Sequence, residues 1–195
     1  MENNLWIDTC IAYEPGKKLA EAYNRKMEST SAQWVLFLDQ DLFILNPRWY
    51  DMCLNAIKQV GNEAGWITAR CNRIGNKFQH YPPPEDNDSI VYHIGIANQL
   101  YKEYGNEIVE VTKSNFSGFF ILTSKSTWSK VGGFKDQGLG ISGIDIDYCK
   151  RLKSMGCKLY VMPGLYFYHL YKTKWAKNGV WNEKEWRKAK AKTSP

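Results

Sequence analysis

The chain has 195 residues and a net charge of +6, and its 44% hydrophobic and 24% charged content is ordinary for one globular domain. The positive excess lies at the end of the chain, where residues 170–195 hold eight of the 26 basic residues and two of the 20 acidic ones. Residues 1–169 therefore carry no net charge, which argues against a nucleic-acid groove in this part of the protein. No apolar run approaches the roughly 18 residues that a membrane-spanning helix needs. The five cysteines show no C-x-x-C pair, so we expect a cytoplasmic protein without disulfides or a zinc site.

Strand and helix patterns alternate along the chain and predict an α/β domain over residues 1–171, followed by a tail over residues 172–195. The helical patterns lie after Pro15, after Asn46, over Ile90–Tyr104, before Val131 and over Ser142–Met155. The predicted strands are Leu5–Ala12, Trp34–Leu38, Gly65–Cys71, Ile108–Thr112, Phe119–Thr123, Lys158–Met162 and Leu165–His169. Because Trp34–Leu38 is apolar throughout, we expect a mostly parallel central sheet flanked by helices. Residues 72–89 form the longest predicted loop, and loops of this length are often functional or else disordered.

The tail interleaves its basic residues with Trp175, Trp181 and Trp186. A segment of this composition can lie on an anionic membrane surface, which predicts peripheral membrane contact. A solvated chain end has the same composition, and both interpretations stay open.

Two carboxylates follow the buried strand, in the segment Asp39-Gln40-Asp41. The carboxyl ends of strands in open α/β sheets form the crevice in which ligands bind. Two like charges beside apolar surface are costly unless a cation joins them, and Mn²⁺ or Mg²⁺ binds carboxylate and phosphate oxygens together. The pair therefore suggests a metal-assisted transferase acting on a nucleotide-linked donor, although Asp also commonly closes turns after strands.

Asp145 is the last residue of Ser142-Gly-Ile-Asp145, a pattern typical of the capping box at a helix start. A carboxylate held there by backbone N–H groups is oriented in advance, which suits a base that accepts a proton from a hydroxyl. Capping alone would also explain the residue. His169 ends the run Leu165–His169, either as a polar strand terminus or as a third ligand in a site for Mn²⁺ or Mg²⁺.

Six segments follow one another in the chain: Gly16–Asn24, Trp34–Asp41, Phe116–Leu122, Trp128–Phe134, Asp145–Arg151 and Lys158–His169. Taken in this order over about residues 5–171, they resemble the family 2 glycosyltransferases with the GT-A fold. The second of them is similar to the strand and DxD motif of that family, and the fifth is similar to its segment with the general base. The others look like its Arg-Asn helix, acceptor-side strand, Gly-Gly-Phe turn and closing strand with a histidine.

The resemblance implies a metal-dependent glycosyltransferase that moves a sugar from a nucleoside-diphosphate sugar to a hydroxyl of a glycan, a lipid-linked molecule or a protein, with inversion expected. It implies Asp145 as the general base and a Mn²⁺ or Mg²⁺ ion held by Asp39, Asp41 and His169. Contacts with the nucleotide sugar are implied for Tyr13, Asn24, Asp39, Gln40 and Asp41. The donor sugar or the acceptor is expected near Gly118, Trp128 and Ile144.

The chain departs from the family at two points. Ile144 stands where an acidic residue normally precedes the base, and one strand–helix unit is missing before the helix with Asn24, so the nucleotide pocket must be reduced. Two alternative enzymes would use the same metal pair: a retaining glycosyltransferase and a nucleotidyltransferase. A third alternative is a non-catalytic module whose tail binds a membrane or nucleic acid, although the neutral body makes nucleic acid the less favoured partner.

Overall fold

The structure is a computed structural model that describes residues 5–12, 16, 18–83, 87–138 and 143–170. These residues form a seven-stranded open sheet flanked by helices, which confirms the predicted α/β class. In chain order the elements are β1 (Ile7–Cys10), α1 (Leu19–Ser29), β2 (Trp34–Leu38), β3 (Leu42–Ile44), α2 (Trp49–Val60), β4 (Ala64–Cys71), α3 (Ile90–Tyr104), β5 (Val109–Glu110), β6 (Phe120–Ser124), α4 (Lys125–Lys130), α5 (Ile144–Ser154) and β7 (Lys158–His169).

The sheet is mixed, with strand order β1-β2-β6-β4-β7-β3 and with β5 paired to β7. Only the pairs β1–β2 and β4–β7 are parallel among the described strands, while β6 runs antiparallel to both of its neighbours. The prediction of a mostly parallel sheet is therefore wrong. A continuous apolar run indicates that both faces of a strand are buried, but it does not indicate the direction of the neighbouring strands.

The strand β2 shows why its sequence is apolar throughout. Trp34, Leu36 and Leu38 pack into the core on the side of α2, whereas Val35 and Phe37 pack with α1 and α5 on the other side. All five side chains are at most 4% exposed. Burial of each such side chain stabilises the fold by roughly 1.5–3 kcal/mol, so both faces of β2 contribute to the core.

The strand β7 is continuous, although the sequence predicts two strands on either side of Pro163. Thr68 of β4 pairs with Val161, but Arg70 pairs with Tyr166, so β7 carries extra residues between these positions. Pro163 lies in this irregular stretch, where its missing N–H removes no regular ladder hydrogen bond. A proline can therefore sit inside this strand without ending it.

Other features of the described residues bear on the earlier predictions. None of their helices is long and apolar enough to cross a membrane. All five cysteines lie in the described ranges, and none is in a disulfide. Tyr13 and the tail over residues 172–195 lie outside the described residues, so their predicted roles stay predictions.

The close approach of β7 to the end of α3 can be tested by substitution. An added Cβ at Gly164 would overlap the backbone carbonyl oxygen of Gly105, which cannot rotate away. Gly164→Ala should therefore lower the free energy of unfolding by about 1–3 kcal/mol, measured by chemical denaturation.

Gly95 in α3 provides the control, because a Cβ there would meet nothing within 4 Å. Alanine is the better helix former, so Gly95→Ala should raise the free energy of unfolding by roughly 0.5–1 kcal/mol. If the two variants changed the free energy of unfolding in the same direction, the close approach of Gly164 to Gly105 would be contradicted.

Candidate functional site

Three polar residues meet where β2, β3 and β7 come together. Asp39 directly follows β2, Asp41 lies in the turn before β3, and His169 is the last residue of β7. Leu42 of β3 pairs with His169 of β7, which brings the ends of these strands together. The candidate ligand atoms of Asp39, Asp41 and His169 lie within 4.8 Å of one another. The Nε2 atom of His169 lies 3.2 Å from Asp41 Oδ1 and 3.9 Å from Asp39 Oδ2. The structure thus brings together the three residues that the sequence analysis proposes as metal ligands.

The ring of His169 is held in one orientation by the residues that follow β4. Its Nδ1 lies 3.0 Å from the carbonyl oxygen of Arg73, and its backbone N–H donates to Asn72 Oδ1 at 2.7 Å. A carbonyl oxygen only accepts hydrogen bonds, so we assign the Nδ1 proton to this contact. The Nε2 atom then faces the carboxylates with either a second proton or a lone pair for a metal ion. Metal-binding histidines commonly use this arrangement.

The two carboxylates differ in their electrostatic environment. Burial raises the pKa of Asp39 to about 6, and the nearby charges of Asp41 and Asp145 act in the same direction against the opposing effect of His169. The hydrogen bond with His169 instead lowers the pKa of Asp41. Asp39 is therefore the group whose charge is least compensated, and a cation bound beside it would offset that cost.

Asp145 lies in the first turn of α5, and both oxygens of its carboxylate accept backbone hydrogen bonds. Its Oδ1 accepts from Ile146 N at 2.8 Å, and its Oδ2 accepts from Gly118 N at 3.1 Å. A Cβ at Gly118 would lie 3.3 Å from the Cβ of Asp145, so the absence of a side chain permits this close approach. The capping-box prediction is wrong: α5 begins at Ile144 with Gly143 at its N-cap position, and no side chain caps this helix start. Ser142 itself lies outside the described residues.

A cavity of about 720 Å³ connects the candidate metal ligands with Asp145. Asp39 and His169 line it together with Asp145 and Gly118. The remaining walls carry amide, hydroxyl and apolar groups with one lysine, including Ile74, Asn76, Lys77, Ser114, Asn115 and Ile146. Pockets of this size and mixed lining commonly bind small molecules.

Asn24 and Trp128, for which contacts with substrate are predicted, form hydrogen bonds within the protein. Asn24 Oδ1 accepts from Trp128 Nε1 and from Phe134 N, both at 2.8 Å, and Asn24 Nδ2 donates to Phe134 O at 2.9 Å. These bonds tie α1 to the turn that follows α4. Neither residue is among those that line the cavity, so their substrate contacts remain predictions.

Two further predicted residues differ in exposure. Gln40 is exposed in the turn between the two aspartates, where a ligand can reach it. Ile144 is 3% exposed and packs in the core between the sheet and α5, which fits an apolar side chain at this position. Their contacts with the nucleotide sugar and the acceptor stay predictions.

The sequence analysis assigns no role to the individual residues of the loop after β4, yet three of them support the site. Asn72, Arg73 and Gln79 are all at most 4% exposed. Asn72 and Arg73 hold His169, and Gln79 binds the segment before β6. The available signal is weak: amide and guanidinium side chains immediately after a buried strand, in a loop that would otherwise be expected at the surface.

No family model matches the chain, and no curated protein is significantly similar to it. Functional interpretation therefore depends on the chemistry of the residues themselves. The relevant facts are a two-carboxylate and imidazole cluster, a separate oriented carboxylate and one cavity that both of them line.

The electrostatic cost at Asp39 makes a testable prediction about the metal-free protein. The pKa of Asp39 is about 6 in the folded protein, whereas the ordinary value of 3.8 applies to the unfolded chain. The free energy of unfolding should therefore fall as the pH rises from about 4 to 6. Asp39→Asn removes this charge. At pH 7 the variant should be more stable than the wild type by about 1 kcal/mol, a value reduced because the side chain is 40% exposed. Thermal denaturation in EDTA measures the gain, which should shrink as the pH falls towards 4.

Asp147→Asn is the matched control, because Asp147 Oδ2 accepts from Arg151 Nε at 2.8 Å and from Arg151 Nη2 at 2.6 Å. Loss of this paired carboxylate should lower stability at pH 7. A metal-free Asp39→Asn protein that is less stable than the wild type at pH 7 would contradict the electrostatic description of the site.

Proposed function

We propose that the protein is a metal-dependent glycosyltransferase with a compact GT-A-like fold, which moves a sugar from a nucleoside-diphosphate sugar to an acceptor hydroxyl. One observation carries the proposal: Asp39 and His169, clustered with Asp41, line the same cavity as the oriented carboxylate of Asp145. The ordered resemblance of the surrounding segments to family 2 glycosyltransferases supports it.

The donor atoms of the cluster suit the metal ion that this function requires. Two carboxylates and the Nε2 of a histidine form an N/O set compatible with Mn²⁺ or Mg²⁺, and soft thiolate ligands are absent from the cluster. Asp39, Asp41 and His169 would hold the ion, which when bound would supply positive charge to the diphosphate of the donor.

Asp145 is the proposed general base. Each of its oxygens holds one backbone hydrogen bond and retains a second lone pair, so the carboxylate can accept a proton without leaving its position. The acceptor O–H bond breaks towards Asp145 while the acceptor oxygen bonds to the anomeric carbon. The bond from that carbon to the diphosphate breaks, and the diphosphate leaves with the electron pair. A single displacement of this kind inverts the anomeric configuration.

The composition of the cavity fits polyhydroxylated substrates. Asn76, Ser114 and Asn115 place amide and hydroxyl groups beside the apolar Ile74 and Ile146, a mixture that suits both the O–H groups and the C–H face of a sugar. The acceptor is proposed to be a glycan, a lipid-linked molecule or a protein side chain. Peripheral membrane contact through the basic tail remains part of the proposal.

The test uses purified protein with Mn²⁺ and a panel of UDP-, GDP- and dTDP-linked sugars, with transfer and donor hydrolysis both measured. Asp145→Asn should lower kcat at least 100-fold, because general-base catalysis contributes about 10²–10⁴-fold. Its affinity for Mn²⁺ should change little, since the metal ligands are intact.

Asp136→Asn is the control, because Asp136 is exposed and does not line the cavity. It should turn over like the wild type. Near-wild-type turnover by Asp145→Asn would exclude this residue as the base. Retention of anomeric configuration would identify a retaining enzyme, release of pyrophosphate a nucleotidyltransferase, and binding without any turnover a non-catalytic module.

A further inference from the structure

Gln79 is a fully buried polar side chain in a segment without helix or strand. Its backbone is fixed to the end of β4, because Cys71 N donates to Gln79 O at 2.8 Å and Tyr81 N donates to Cys71 O at 2.9 Å. Its side-chain Nε2 also donates to Thr68 Oγ1, within β4, at 2.9 Å. Gln79 is therefore anchored to the central sheet through both its backbone and its side chain.

The same side chain forms two hydrogen bonds with the backbone of Ser117. Ser117 N donates to Gln79 Oε1 at 2.8 Å, and Gln79 Nε2 donates to Ser117 O at 2.9 Å. This pair of bonds has the form of a short strand pairing in which an amide side chain replaces the second strand. A buried amide that satisfies both polar atoms of one residue fixes that residue more firmly than a single hydrogen bond would.

The orientation of Gly118 follows from the geometry of the peptide bond. The carbonyl of Ser117 and the N–H of Gly118 belong to one planar trans peptide, so they point in opposite directions. When Gln79 holds the carbonyl on one side, the N–H is directed to the other. On that other side Gly118 N donates to Asp145 Oδ2 at 3.1 Å.

We propose that Gln79 is a positioning residue, which fixes the Ser117–Gly118 peptide and through it the carboxylate of Asp145. The inference rests on the proposed function, in which that carboxylate accepts the proton of the acceptor hydroxyl. Gln79 is not among the residues that line the cavity, so it acts on the reaction through Ser117 and Gly118, which both line it. The loop after β4 then orients both parts of the site, since Asn72 and Arg73 of the same loop hold His169.

The test replaces Gln79 by methionine, which has a similar shape and cannot make these hydrogen bonds. Gln79→Met should lower kcat by about 10–100-fold, because misplacement of a catalytic group by 1 Å can cost about 10²-fold. The KM for the donor should change less than about threefold, because the hydrogen bonds of the Gln79 side chain go to Thr68 and Ser117 and not to the proposed metal ligands. Turnover is measured as Mn²⁺-dependent hydrolysis of the nucleotide sugar that the wild type accepts.

Thr68→Val is the matched control. Thr68 Oγ1 accepts from Gln79 and donates to Phe120 O at 3.0 Å, so the substitution breaks buried hydrogen bonds of the same cluster. It leaves both bonds between Gln79 and Ser117 in place. Thr68→Val should lose stability but keep kcat within about threefold of the wild type. If it lost activity as Gln79→Met does, a general packing defect would explain both, and the proposal would be overturned.

Two further measurements keep the proposal separate from folding and from the proposed function. Gln79→Glu serves if Gln79→Met does not fold: it keeps an acceptor for Ser117 N, replaces the donor to Ser117 O and should show the same loss. In ¹⁵N-glycine-labelled protein, the amide hydrogen of Gly118 should exchange with solvent at least about tenfold faster in Gln79→Met than in the wild type. Unchanged exchange would overturn the positioning role, whereas a wild type that hydrolyses no nucleotide sugar would refute only the proposed function.

Discussion

The structure brings two carboxylates and an imidazole together beyond the end of the buried strand β2, and this constraint governs the rest of the site. Asp39 is held there by the backbone bond from its N–H to Phe119 O at 3.0 Å, and Asp41 by the bond from Leu170 N to its carbonyl at 2.9 Å. The carbonyl oxygen of Arg73 fixes the ring of His169 through Nδ1, and Asn72 holds its backbone N–H. A metal ion bound among these groups would offset the charge of the two carboxylates.

The mixed direction of the sheet is what connects this cluster to Asp145. Because β6 runs antiparallel to β2, its first residues lie beside the last residues of β2. Gly118, just before β6, is thereby placed near Asp39, and its N–H reaches Asp145 at the start of α5. In a parallel arrangement the start of β6 would lie at the opposite edge of the sheet. The strand direction that the sequence did not predict is thus the feature that assembles the cavity.

Much of the local structure could be predicted because it depends on local patterns. The bounds of Ile90–Tyr104 and Trp34–Leu38 were predicted correctly, the second from its continuous apolar run. The position of Asp39 and Asp41 at the end of a buried strand was also predicted. Strand directions and the continuity of β7 through Pro163 depend on tertiary pairing, which no local pattern encodes. The role of Gln79 depends on a hydrogen bond to a residue 38 positions away, so it became visible only in the fold.

Binding of a divalent cation among Asp39, Asp41 and His169 can be measured by diffraction from crystals soaked in Mn²⁺. We expect an anomalous difference peak within coordination distance of both carboxylates and of His169 Nε2, and a stronger peak when a nucleoside diphosphate is added. An absence of such a peak, with His169 Nε2 bonded to Asp41 at its metal-free distance, would contradict it. The cluster would then be an ion pair of the fold rather than a metal site.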